Sequence, residues 1–566
     1  MKLPVTILES GECRVNLPKD LVKKIPCVSR SNDGWACFYW MDLLEVAKHF
    51  EITLTDESTE IFGQLKESRK SAIGNKDVEA EGVSELFSEA KKPRKFQLKA
   101  INFALSQKNV LIADDVGLGK TIIAIGVLLK AIENEEIDGA IILCPSSVKY
   151  QWKHEMIAAN EYLPDIERQI AVIDGDRAER TMQYADNPTF AILNYHLLLR
   201  DADRIADMMV NRSLAVVADE CSSDGAIKTR SSKTAKAFKK LFGNAPYKLA
   251  LTATPVENRL HDLYSVMEWI EPLALGPYKH FEDKYLVLIH LKIKRKTKYG
   301  KEYIIMVPKV INHKNLDDAR WRLEDRFIRR TAKEVGEEMP KATSVVYTVE
   351  LSSEARERYN KIADELRGQT QLVGKIVPLR RCCAAPCLVG GEGEDSGKVA
   401  ELIRLLETEL FDETCIIVTQ WREKWIDILK RKLKKWKPLV IHGGVSQEDR
   451  ERTRESFMGG QSKLLLMTEV GGYGLNLQCA SVLVNLDLNW NPAKIWQRIG
   501  RIYRIGSKHD KIRIISLVAG DTIEEKVLRV LSSKQDLFSQ LFATDGLEKL
   551  TDAVSGWSDN DIRRMI

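Results

Sequence analysis

Long apolar runs are missing from this sequence: none approaches the roughly 18 residues that a membrane-crossing helix needs, so a helical membrane protein is not expected. The N-terminal MKLPVTILESGECR has one short apolar stretch interrupted by Glu9, which argues against a secretory signal. Paired cysteines are lacking as well. Ten cysteines are scattered, and the one cluster, Cys382, Cys383 and Cys387, has no second pair to complete a tetrahedral zinc site; three buried thiols in a reducing cytosol are expected instead. Charge of one sign is also scarce. With 86 Lys and Arg against 81 Asp and Glu the formal charge is +5, so any nucleic-acid surface must come from local basic patches. What is present, 44% hydrophobic and 30% charged residues over 566 positions, describes globular domains, about three or four of them by length.

Residues 1–90 read as a small α/β module in which Trp35, Phe38 and Trp40 form the packing, followed by a polar linker around Glu67–Gly82. From Pro93 the pattern changes. VLIA (110–113), AIILCP (140–145), FAILN (190–194), LAVVAD (214–219) and KLALTAT (248–254) are short, β-rich and continuously apolar, as strands buried on both faces of a parallel sheet must be. A second set, CIIVTQ (415–420), LVIHG (439–443), LLLMT (464–468), VLVNLD (482–487) and IRIISLV (512–518), predicts a second sheet of the same kind. The fold class is therefore α/β, with one lobe over 91–275 and another over 396–545. Between them, 276–395 is less regular and contains LKIKRKTKYGKEYIIMV (291–307), a basic β-hairpin turning near Gly300. Residues 546–566 are expected to form a helical tail.

ADDVGLGKT (113–121) follows an apolar strand and precedes a helical run, the context a phosphate-binding loop requires. Gly117 and Gly119 let the backbone amides of the loop, Leu118 included, come close to phosphate oxygens at a helix N-terminus. Lys120 is placed to reach the β- and γ-phosphates of ATP, and the Thr121 hydroxyl to bind Mg²⁺. Asp114 stands where the strict loop pattern has its first Gly. The acidic pair Asp219 and Glu220 ends a buried strand, where a carboxylate is costly unless a cation compensates. Asp219 then holds Mg²⁺, and Glu220 orients or deprotonates the attacking water.

From these motifs onward the chain resembles the SNF2-like ATPases of helicase superfamily 2 over about residues 93–545. PRKFQ (93–97) is similar to the family's glutamine motif, which implies Phe96 on the adenine face and Gln97 on its edge. CPSSVKYQWKHE (144–155) resembles the segment that follows one strand backbone, and LTATPVENRL (251–260) the third motif, with Thr252 and Thr254 linking the cleft to the strand-binding face. FIRRTAKEVGEEMPK (327–341), LRRCCAAPCLV with SGK (379–398), TEVGGYGLNLQCASVLVNLDLNWNPAKIWQRIGRIYRIGSK (468–508) and DTIEEKV (521–527) complete the ordered set.

The resemblance implies two tandem RecA-like lobes, with ATP and Mg²⁺ as cofactors. Arg501 and Arg504, three apart and so on one face of a helix, would supply arginine fingers from the second lobe. Gly472 and Gly474 would couple the second lobe to the strand. Lys149, Trp152, Lys292, Lys294, Arg295, Lys296, Lys298 and Trp490 are the candidate DNA contacts, mostly to phosphates. One departure stands out: DECSSDGAIKT (219–229) has Cys221 and Ser222 where the family has Ala and His, with three extra residues before Lys228, which puts the contact between second and third motifs in doubt. Segment 15–52 vaguely resembles the HARP domains of fork-remodelling annealing motors. The implied function is an ATP-driven translocase on duplex or forked DNA, in a cytoplasmic, monomeric protein of a bacterium or virus (nuclear in a eukaryote), with the first module as the place for a protein partner. The alternatives are a strand-unwinding DNA or RNA helicase, a transcription-complex remodeller, and a weakly hydrolysing nucleotide-binding scaffold.

Overall fold

The computed structural model describes residues 2–23, 25–31, 33–255, 260–296, 302–336, 339–367, 376–469, 475–489 and 492–529. The N-terminal strands are β1 (Lys2–Ile7), β2 (Glu12–Val15), β3 (Ser29–Arg30), β4 (Ala36–Tyr39) and β5 (Glu51–Leu54), in the order β3-β4-β2-β1-β5. Strict alternation in β1 buries Leu3, Val5 and Ile7 and leaves Pro4 and Thr6 exposed, so one face of this sheet packs inward. Phe38 and Trp40 are buried as expected, but Trp35 is 43% exposed. Trp35 precedes the fully buried β4 and sits outside the packed face.

The expected linker at Glu67–Gly82 is largely helix. A 19-residue helix, Asp56–Gly74, starts at Thr55, whose hydroxyl accepts from the Ser58 amide, and carries Asp56 and Glu57 in its first turn. Besides Ile61, Phe62 and Leu65, which pack on the core, it is fastened by an ion pair: Arg69 pairs with Asp325 and bonds the Trp321 carbonyl. Arg322 likewise reaches back to Asp42 of the first module. Leu3, Val15 and Phe38 belong to the same apolar cluster as Leu111, Val216 and Trp269. The first module and the first lobe thus share a core.

The first lobe is a seven-stranded parallel sheet. Its strands are β6 (Asn109–Ile112), β7 (Gly139–Cys144), β8 (Ile170–Val172), β9 (Phe190–Asn194), β10 (Leu214–Asp219) and β11 (Lys248–Leu251). With β14 (Phe327–Ile328) the order is β14-β6-β11-β10-β7-β9-β8. Between β11 and β14 the chain makes an antiparallel ribbon of β12 (Leu286–Lys296) and β13 (Glu302–His313); the turn expected near Gly300 lies outside the described residues. The second lobe has β15 (Lys341–Val349), β16 (Cys415–Thr419), β17 (Leu439–Ile441), β18 (Leu464–Thr468), β19 (Val482–Asn485) and β20 (Lys511–Ala519). Their order is β15-β20-β19-β16-β18-β17, again all parallel.

The region between the lobes therefore feeds both: β14 adds an edge to the first sheet and β15 to the second. Among the described residues no helix is long and apolar enough to cross a membrane, and no three His, Cys, Asp or Glu side chains converge for a metal. Cys382 and Cys383 are buried; Cys387 is only partly so. The tail at 546–566 lies outside the described residues.

Candidate nucleotide site between the lobes

The carboxyl ends of β6, β11 and β10 are neighbours, and the chemistry collects there, as it does where loops leave the carboxyl edge of an open parallel sheet. From β6 comes the loop ending in the helix Lys120–Glu133. Gly117 (φ +83°) and Gly119 (φ +77°) both adopt the left-handed region. Each also has a contact that forbids a side chain: a Cβ on Gly119 would lie 2.5 Å from Gln97 Nε2, and one on Gly117 would lie 2.3 Å from the Tyr503 carbonyl oxygen.

Lys120 is folded into its own loop. Its ammonium donates to the carbonyls of Asp114 (2.8 Å) and Asp115 (3.2 Å). Burial lowers its pKa, opposed by the nearby carboxylates of Glu220, Asp114, Asp219 and Asp115. Across β11, Asp219 accepts from the Glu220 amide (2.9 Å) and from Trp152 Nε1 (2.8 Å), while its carbonyl accepts from the Tyr195 hydroxyl (2.8 Å). Burial raises the Asp219 pKa, offset in part by the Trp152 bond and by Lys120. Glu220 holds a positive φ of 49°, an uncommon conformation for a side-chain-bearing residue. A half-buried cation beside an acidic pair, Glu220 of which is left-handed, at one sheet edge fits a magnesium nucleotide: Lys120 would hold the phosphates, and Thr121 with Asp219 the metal.

The glutamine motif touches the same loop. Gln97 is buried; its oxygen accepts from the Arg94 amide (2.9 Å) and its nitrogen donates to the Leu118 carbonyl (3.0 Å), so the side chain braces the loop from behind. Arg330 covers one face of Phe96, its guanidinium carbon 5.1 Å from the ring centre, and bonds the Phe96 carbonyl. Two arginines missed in the sequence explain the residues before Gly117. Asp114, fully buried, accepts from the Arg330 amide (2.9 Å) and its guanidinium, and Asp115 accepts from Arg329 (3.0 Å) and the Ala332 amide (3.1 Å). Asp114 thus replaces the expected Gly because its side chain fastens the loop to the segment after β14. Adjacent carboxylates beside a glycine loop were the available signal; their partners are more than 200 positions away.

The altered second motif keeps its contact with the third. Ser222 Oγ lies 2.5 Å from Thr252 Oγ1 and 3.5 Å from Thr254 Oγ1, and Thr252 Oγ1 accepts the Thr254 amide (3.1 Å). A hydroxyl therefore stands where an imidazole was expected to be needed. The extra residues carry Asp224, which pairs with Lys228 (2.7 Å) and lies 3.8 Å from Lys494 of the second lobe.

The second lobe closes directly on the loop. The helix Pro492–Ile499 stops before Arg501, so the expected shared helical face for Arg501 and Arg504 is not formed; both sit in the turn between Gly500 and Gly506 (φ +77°). This turn lets the Ile505 amide donate to the Gly117 carbonyl (3.2 Å) and brings Gly500 against Val116. Arg504 has its Cα and Cγ at Gly117, with Glu155 of the first lobe as the carboxylate facing its guanidinium; burial lowers its pKa. Arg501 is buried at the same turn, where its carbonyl accepts the Leu477 amide. Arg498 is a structural pillar, bonded to Glu469 (3.1 Å), Asn485 (3.1 Å) and the Asp487 carbonyl (2.7 Å).

Two candidate DNA contacts are placed elsewhere. Lys149 is buried with its ammonium on the Ile173 carbonyl and Asp174 (2.9 Å each), and Trp152 is buried on Asp219. Both face the lobe interior because they lie on the inner side of the helix Lys149–Ala159. Lys292 is exposed on the ribbon, and β12 also carries Lys294, Arg295 and Lys296. Lys298, Gly472, Gly474 and Trp490 lie outside the described residues.

A SNF2-related domain matches residues 40–388, and a helicase conserved C-terminal domain matches residues 397–506. The chain is 27% identical over 483 residues to a putative ATP-dependent helicase/translocase, YwqA, of Bacillus subtilis, covering 80% of this chain and 49% of the other. It is 25% identical over 480 residues to the ISWI chromatin-remodeling complex ATPase ISW1 of Saccharomyces cerevisiae, covering 78% and 40%. The chain thus spans under half the length of either relative. The SWI2/SNF2 ATPase core of Sulfolobus solfataricus, solved in complex with dsDNA, aligns at 24% identity over 84% of this chain and 96% of that one, with a TM-score of 0.37.

Proposed function

Because the chain belongs to the SNF2-related family of nucleic-acid-dependent ATPases, we propose that it is an ATP-driven motor that translocates on duplex DNA and remodels forks or displaces bound protein. The observation that carries this reading is the seam at Gly117, where the phosphate loop of one lobe meets the Arg501–Ile505 turn of the other. Hydrolysis that needs groups from both lobes is switched by whatever brings the lobes together. A DNA duplex bound across both favours the closed state and so raises the rate. Conversely, the nucleotide state alters how the lobes meet, which moves the protein along the backbone.

Bound Mg²⁺ would neutralise charge on the phosphates. Around it, Lys120 would exchange its loop carbonyls for phosphate oxygens, and Asp219 with Thr121 would hold the ion. Glu220 orients the water and takes its proton. Arg504, already against Gly117, turns from Glu155 toward the γ-phosphate, with Arg501 beside it. The hydroxyl chain from Ser222 through Thr252 to Thr254 supports coupling between the acidic pair and the strand-facing segment.

ATPase rates with no nucleic acid, single strand, duplex, fork and RNA test the reading. Strong stimulation by duplex without strand separation is expected. Stimulation by RNA alone would replace the substrate class, and no hydrolysis under any condition would leave a nucleotide-binding scaffold.

A further inference from the structure

The ribbon β12–β13 is a two-stranded sheet on its own, hydrogen-bonded to no other sheet. Its base is anchored: Leu286 is buried, and Leu288 and Val310 pack on the core of the first lobe. Beyond that it leaves the protein, and its apolar residues leave with it. Ile304 is 60% exposed, Met306 53% and Tyr303 44%, with Ile289 and Leu291 also exposed. A two-stranded hairpin that buries so little is marginally stable in water, so a surface of this kind is built to be covered.

The charge is equally uneven. The two strands, 286–296 and 302–313, hold five Lys and Arg against one Glu, a net of +4 in a chain whose total is +5. The ribbon is thus a local basic patch on a nearly balanced chain. The register then interleaves the two features: Lys292 stands opposite Met306, Lys294 opposite Ile304, Arg295 opposite Tyr303 and Ile289 opposite Lys309. Lysines commonly guard a sheet edge against aggregation, but a guarded edge has no use for apolar neighbours left in water.

Alternating cations and apolar surface match one nucleic-acid form in particular. A duplex offers phosphates and hides its base faces in the stack, whereas an unpaired strand offers both, phosphates to cations and base faces to aromatic or apolar side chains. We propose that the ribbon β12–β13 is a second nucleic-acid site, separate from the lobe cleft, that holds the unpaired strand beside a duplex junction. This deepens the motor reading and rests on it for the duplex partner.

The test is equilibrium binding of the full chain, without nucleotide, to a labelled fork with unpaired arms and to a blunt duplex of equal length. The wild type is expected to prefer the fork by about tenfold, on the scale of stacking one base. Tyr303→Ser with Ile304→Ser and Met306→Ser should abolish that preference while duplex-stimulated hydrolysis stays unchanged. Ile304→Ser alone, at the most exposed of these positions, should reduce it and carries the test if the triple variant melts early. Neutralising Lys292, Lys294 and Lys309 to Gln should lower the slope of log affinity against log salt by about two, the counterions of three single-strand phosphates. A fork preference that survives the apolar variants overturns the proposal. So does a wild type that binds fork and duplex alike, or ribbon variants that lose binding to phosphatidylserine vesicles while keeping the fork. Lys120→Ala should abolish hydrolysis and leave the fork preference intact; a protein that prefers forks yet hydrolyses nothing with duplex refutes the motor and not the ribbon.

Discussion

At the carboxyl edge of the first sheet, Lys120 and Asp219 sit beside Glu220 where burial works against the charges of the first two, and Lys120 bonds only to carbonyls of its own loop. At the same edge of the second sheet, charge is buried more deeply but is matched within the lobe. Arg498 is held by Glu469 and two β19-end oxygens, and Lys398 by Glu524 and the Leu486 carbonyl, both residues of that pair being almost wholly buried. The same architecture thus carries two kinds of buried charge. Ions matched at home maintain a fold, since removing either member strands the other. Ions whose protonation burial disturbs at a loop-lined sheet edge are suited to a ligand that arrives from outside.

Substitutions on the two sides should separate along that line. Arg504→Ala, which removes the charge delivered across the seam, is expected to lower kcat by about 10³–10⁵-fold with unchanged thermal stability; a loss under tenfold in a steady-state assay would place the transition-state cation elsewhere. Glu220→Gln should lower kcat by about 10²–10⁴-fold while nucleotide binding, read by fluorescence of a labelled analogue, persists. In the second lobe, Lys398→Ala should cost about 3–5 kcal/mol in denaturant unfolding of that lobe, because Glu524 is left buried without its cation. Ser222→Ala should change the DNA-stimulated rate by about fivefold, the value of one hydrogen bond, and leave the rate without DNA unaltered; equal rates under both conditions would remove the hydroxyl chain from the coupling path.

Asp219→Asn gives the subtlest result and the clearest contrast. Burial raises the Asp219 pKa, so its ionised form opposes folding. The contribution of this group is favourable at low pH and is lost as pH rises through the raised native value. Asn carries no such charge. The variant should be more stable than wild type at neutral pH without nucleotide, read from denaturant unfolding, and the gap should close on acidification. A variant less stable at neutral pH would mean that Lys120 already compensates the carboxylate in full.

The central strands were legible because a strand buried on both faces has to be continuously apolar; FAILN, LAVVAD and LLLMT coincide with β9, β10 and β18. The edge strands β14 and β15 escaped for the complementary reason. β14 is two residues long, and β15, KATSVVYTV, is exposed along most of its length, so neither needed an apolar run. The glycine loop and the acidic pair were readable from local spacing, whereas Arg329 and Arg330 were not, since pairing with Asp115 and Asp114 is a product of topology. Spacing also misled at Arg501 and Arg504: a three-residue interval suits a helix, but the helix ends at Ile499. Trp152 and Lys149 were expected on DNA because CPSSVKYQWKHE resembles a strand-tracking segment, yet each finds a buried acceptor.

The ion pairs Asp42–Arg322 and Arg69–Asp325 have a practical consequence for anyone dividing this chain. A fragment begun at residue 91, where composition changes, would keep the arginine of one pair and the aspartate of the other, each in a pocket shaped for a missing partner. It would also uncover the flank of the first lobe on which the N-terminal sheet rests. The change of composition there marks where ionic anchoring gives way to apolar strands, and it does not mark where one cooperative folding unit ends and another begins.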